Sequence, residues 1–140
     1  MNSEYNSTPS IIRPARLGCL ALLGTGAVFA IIPLILLYVF GFSIKTTEEY
    51  ACMLRTVEQS EDVLVVTGEP LTPGLFAWTS YFESGGGLRK GQFSTTVSGP
   101  KGRARIQAQF YRTPVGESLG IWLKRDRGEI TIYNGSYPCR

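Results

Sequence analysis

The sequence predicts an α+β protein: one N-terminal transmembrane helix, then a small domain of about two helices packed on a mostly antiparallel sheet of about five strands. Three observations predict it. An uncharged, largely apolar run extends from Leu17 to Phe42. Two short stretches with helix caps and stops follow it. From Leu75 onward apolar and polar residues alternate, broken at short intervals by glycine and proline. A chain of 140 residues holds one ordinary domain and an appendage.

Residues 1–16 read as a disordered tail, of which Met1 to Ser10 are polar and rich in Asn and Ser. The run at 17–42 has 26 residues. At about 1.5 Å of rise per residue, roughly 20 cross a bilayer core of about 30 Å, so it spans with some tilt. A secretory signal is the competing reading, but its apolar region is about 7–15 residues and ends in a small-residue cleavage site, which Ile44-Lys45-Thr46 does not resemble. Cys19 sits at the start of the run, where lipidation needs it at the end, and reads as a small apolar side chain within the span. Pro33 should kink the helix, and Gly26 with Ala30 forms a small-xxx-small pair that lets another helix approach. Arg13 and Arg16 precede the span, whereas Lys45 is followed by Glu48 and Glu49. The basic bias puts the N-terminus inside and the domain, 45–137, outside. Residues 138–140 read as a tail.

Thr46 is a candidate cap with Glu49 returning the bond, opening an amphipathic helix that buries Tyr50, Met53, Leu54 and Val57 and runs to about Gln59. Ser60-Glu61-Asp62 caps a second helix over Val63 to Thr67, stopped by Gly68, although the valines also suit a strand. Phe76, Trp78, Ser80 and Phe82 then alternate with Leu75, Ala77, Thr79 and Tyr81. Phe93, Thr95 and Val97 continue the period, as do Ala104, Ile106, Ala108 and Phe110, then Leu119, Ile121 and Leu123, then Ile130 and Ile132. Gly85-Gly86-Gly87, Gly99-Pro100-Lys101-Gly102, Thr113-Pro114 and Arg127-Gly128 are the turns of an antiparallel meander.

The chemistry available is narrow. The chain has no histidine, which removes the commonest general base and metal ligand and any Ser-His or Cys-His nucleophile. Neither glycine-rich turn has phosphate-loop spacing. The expectation is a non-enzyme without cofactor or metal. Cys52 and Cys139 are the cysteines outside the span. In an oxidising compartment they form either one disulfide, closing a loop of 87 residues, or two unpaired small apolar residues. Between Ser84 and Gly116 no residue is acidic, while Arg89, Lys90, Lys101, Arg103, Arg105 and Arg112 are all positive. They make a candidate docking surface for anionic lipid headgroups or an acidic partner, weighed against a solvated face that blocks edge pairing. Nucleic acid is not expected as a partner for a domain outside the cytoplasm.

Tyr50, Ala51 and Leu54 after the span, then Gly68-Glu69-Pro70-Leu71, then Val97-Ser98-Gly99-Pro100-Lys101-Gly102, and finally Trp122-Leu123 with Ile130 form a familiar series. Over roughly residues 45 to 135 the chain resembles the cytochrome oxidase complex assembly protein 1 family. That family is similar in architecture to the single-pass subunit of the mitochondrial presequence translocase. The resemblance implies a non-catalytic factor, chaperone-like, that assists assembly of a respiratory oxidase and meets its subunits. The tail is unlike a transit peptide, so a bacterial inner membrane with the domain in the periplasm is expected, the mitochondrial inner membrane facing the intermembrane space being the alternative. The other class kept open is an envelope sensor that binds a small ligand or lipid with the same fold.

Overall fold

The computed structural model describes the backbone of residues 14–139 and the side chains of residues 26–139. It divides at Ile35 and Leu36 into two compact units. Helix α1 covers Pro14–Gly41, with Pro33 inside it. Among the described residues no helix is long and apolar enough to cross a membrane. The backbone is already helical at Pro14, so the end of the expected tail belongs to α1. The rest of that tail, Arg13, and the side chains of Arg16 and Cys19 lie outside the described residues.

The second unit is α+β. A 3-10 turn, Ser43–Thr46, leads into α2 (Glu48–Glu58) and α3 (Glu61–Thr67), then into β1 (Thr72–Gly85), β2 (Leu88–Ser98), β3 (Arg103–Thr113), β4 (Gly116–Arg125) and β5 (Gly128–Ser136). All neighbouring strands pair antiparallel, in the order of the chain. The cap of α2 is Thr47, whose hydroxyl accepts from the Tyr50 N–H, while Thr46 ends the 3-10 turn. The cap therefore sits one residue later than the sequence suggests. Glu49 does not return the bond; it points into the protein. Gly68 stops α3 with φ of 73°, a conformation that excludes most side chains.

One face of the sheet is covered. Ile44, Tyr50, Met53, Val57 and Val63 from the helical layer meet Ala77, Phe93, Val97, Ala104, Ile106, Ala108, Phe110, Leu119, Ile121 and Leu123. Each large apolar side chain fully buried in this way contributes about 1.5–3 kcal/mol. Gly86 and Gly87, both at positive φ, close the first hairpin. The turn at 99–102 packs on the end of α3: the Lys101 N–H donates to the Thr67 carbonyl at 2.8 Å, and a Cβ at Gly99 would collide with the Thr67 and Gly68 oxygens.

Strict alternation fails in β1. Trp78 pairs with Ser94 and Thr79 with Phe93, but a bulge follows, and Tyr81 then pairs with Gln92 and Phe82 with Gly91. One extra residue reverses the side on which every later side chain falls. Phe82 therefore turns to the helical side, its ring centroid 6.0 Å from that of Phe110, rather than sharing a face with Phe76 and Trp78.

Candidate functional site

Among the described residues no element packs across the second face of the sheet; only the end of α1, at Gly41, meets its β1 margin at Phe76 and Trp78. Pairing registers place Trp78, Ser94, Gln107, Trp122 and Thr131 in one row across it. The adjoining row holds Thr96, Arg105, Lys124 and Glu129. On the other side of the Trp78 row, Tyr81, Gln92 and Gln109 lie side by side, and the Gln109 amide donates to the Tyr81 hydroxyl at 3.1 Å. The Trp122 ring lies over Gly120, leaving no space there for a Cβ. The face is thus a polar sheet surface with aromatic anchors, the composition found at protein interfaces.

The six cations read as one patch separate on folding. Arg103 and Arg105 stand exposed on this face, because Ala104 and Ile106 take the core side. Neither is in an ion pair among the described residues. Lys101 is exposed in the turn beside them. Lys90 also faces outward, but Glu83 across the β1–β2 pair binds it at 2.8 Å. That hydrogen bond and the charge behind it hold the Lys90 ammonium above its ordinary pKa. Lys124 is similarly matched by Glu129.

Arg89 and Arg112 do not belong to the patch. Arg112 shares the parity of Phe110, and Arg89 that of Gly91 and Phe93, so both turn under the helices. There they meet Glu49, whose side chain is 0 % exposed: Arg89 at 3.1 Å and Arg112 at 3.0 Å. Arg112 also reaches Glu48 at 3.1 Å and Glu117 at 3.0 Å, with its guanidinium 4.6 Å above the Tyr137 ring. Burial works against the Arg112 charge, but the hydrogen bonds it donates to Glu117, Glu49 and Glu48 outweigh it and push its pKa above the ordinary value. Burial, with Glu49 nearby, also raises the Tyr137 hydroxyl above 10.0. A disulfide joins Cys52 of α2 to Cys139, with the Cα atoms 5.7 Å apart, beside this network. The whole cluster fastens α2 and the chain end to the sheet. Its cations are committed to carboxylates of the same domain.

Two hollows adjoin β1. One, of about 410 Å³, opens on the uncovered face between Gly74, Phe76, Trp78, Thr96 and Arg105. The other, of about 350 Å³, is mainly apolar and lies between Phe40, Ile44, Thr79, Tyr81 and Phe82. Among the described residues no cluster of three or more metal-ligating side chains occurs. Sequence reasoning passed over Trp78, Tyr81, Tyr111 and Trp122 as surface groups. Tyr111 was reachable from its parity with Arg103 and Arg105, and Trp122 from its place between Ile121 and Leu123. No family model matches this chain, and no curated protein or solved structure matches it either.

Proposed function

We propose that this protein is a membrane-anchored, non-catalytic interaction module whose uncovered sheet face receives an acidic partner. The carrying observation is the pair of exposed arginines, Arg103 and Arg105, flanked by aromatic anchors and bound to no carboxylate among the described residues. Charge of this kind steers association and fixes partner choice. The anchor is the uncharged run from Leu17 to Phe42, which we read as a single span with the domain on the outer, oxidising side. The bonded Cys52 and Cys139 support that side, since such bonds persist outside reducing compartments. The resemblance to the cytochrome oxidase complex assembly protein 1 family supplies the partner class: subunits of a respiratory oxidase, whose biogenesis the module assists.

The apolar hollow bordered by Phe40, Tyr81 and Phe82 favours a second reading, an envelope module that binds a lipid or small ligand. One experiment separates the two. Gently solubilised membranes containing the wild-type chain or Arg103→Gln/Arg105→Gln are compared for co-purified oxidase subunits. The variant should fold normally, since exposed substitutions usually shift stability by about 0.5 kcal/mol or less. Recovery of oxidase subunits should fall, most clearly at low ionic strength where charge is least screened. Equal recovery at low salt overturns the proposed face. Recovery of no oxidase subunit with either chain favours the second reading.

A further inference from the structure

The two edges of the sheet are built differently. Strand β5 exposes Glu129, Thr131, Asn134 and Ser136 and leaves no large apolar side chain open. Strand β1 exposes Leu75 at 68 %, Trp78 at 49 %, Tyr81 at 41 % and Phe82 at 45 %. No residue from Pro70 to Phe82 is charged. The one charge in β1 is Glu83 near its far end, and bulges and the Lys45 ammonium blunt its pairing edge, but neither hides its exposed apolar side chains from water. A neighbour of low polarity suits these side chains.

The chain itself indicates which. The uncharged run ends at Phe42, and its last turn lies on β1: a Cβ at Gly41 would be 3.2 Å from the Phe76 ring and 3.4 Å from that of Trp78. Lys45 is tied to the same strand, its ammonium donating to the Gly74 carbonyl at 2.7 Å and to that of Leu75 at 3.2 Å. Exposed Tyr38 and Phe42 stack beside this junction, ring centroids 6.0 Å apart. An apolar run that ends among Tyr, Phe and Trp, with a lysine just beyond, is the composition of a membrane–water boundary. The aromatic set is completed by β1 rather than by the helix alone.

We propose that β1 is an interfacial strand, its exposed apolar side chains seated at the boundary between the headgroups and acyl chains of the bilayer that holds α1. The inference rests on the reading of α1 as a membrane span. Strands are about 4.8 Å apart, so β3 stands about 10 Å above the boundary. A sheet standing on this edge turns Arg103, Arg105 and Trp122 sideways, toward a neighbour in the same membrane, rather than down onto lipid.

The test uses the full chain in vesicles of phosphatidylcholine with a minor share of phosphatidylglycerol, some lipids brominated near the headgroup end of the acyl chain. The chain has two tryptophans, so Trp122→Phe reports Trp78 and Trp78→Phe reports Trp122. Alkaline carbonate extraction reads the span separately. The expected result is a carbonate-resistant chain in which Trp78 is blue-shifted and loses most of its emission to the bromolipid, while Trp122 keeps most of its own. Hydroxyl-radical footprinting of the unsubstituted chain in the same vesicles should protect Leu75, Trp78, Tyr81 and Phe82 and leave Tyr111 and Trp122 open. This second measurement needs no variant to fold. A carbonate-resistant chain with Trp78 unquenched and Leu75 freely oxidised overturns the interfacial strand alone. Equal quenching of both tryptophans also overturns it and lays the whole face on lipid. Extraction by carbonate removes the span, and the interfacial strand with it.

Discussion

Glu49 is the residue on which the helical layer turns, because a carboxylate with no exposure has to be matched where it stands. Arg89 and Arg112 match it, and they come from adjacent strands, so the three side chains tie α2 to two strands at once. Removing one member of a buried pair leaves the other charge uncompensated, at a cost of about 3–5 kcal/mol. Arg112 keeps Glu117 and Glu48, which limits the loss. Glu49→Leu is therefore expected to lower stability by about 3 kcal/mol, read from the urea midpoint. Glu48 is largely exposed, so Glu48→Gln should move the midpoint little. Equal effects from both would mean that the network contributes only surface charge. The sequence made the positive stretch from Arg89 to Arg112 legible as a composition. Its division into outward and inward arginines was carried by parity, since Arg112 follows Phe110 by two and Arg89 precedes Gly91 by two.

At the scale of elements, the alternation of Ala104, Ile106, Ala108 and Phe110 was enough to assign the faces of β3, and Gly68 marked the end of α3, whereas the cap of α2 fell one residue beyond Thr46 and Ser60 makes no side-chain cap bond to α3. Bulges leave no such mark. The break between Thr79 and Tyr81 arises in the run Trp78-Thr79-Ser80-Tyr81-Phe82, where no glycine or proline signals it. Cysteine spacing left pairing open too, because it says nothing about where a chain returns. The return is set by β5, after which the Tyr137 N–H donates to the Glu117 carbonyl and brings Cys139 beside α2. A bridge across a separation of 87 residues is worth about 4 kcal/mol in the chain-entropy model. Cys52→Ser/Cys139→Ser should lower stability by an amount of that order, read as a fall in the midpoint of thermal unfolding, and open Tyr137 and its neighbours to proteolysis. An unchanged midpoint would mean that the salt-bridge network alone holds the chain end.

At the scale of the whole molecule, the domain assigns different tasks to its surfaces. The helical layer consumes one sheet face and two of the six cations in holding itself together. The other face keeps Arg103, Arg105 and Trp122 available, with Gln107 at the centre of its middle row. The proposed activity is recognition by this face. The most direct measurement places a photo-crosslinking side chain at Gln107 of the full chain and irradiates native membranes. The account predicts adducts with oxidase subunits that diminish when Arg103 and Arg105 are changed to Gln. Adducts with phospholipid alone, or oxidase adducts indifferent to both arginines, would contradict it.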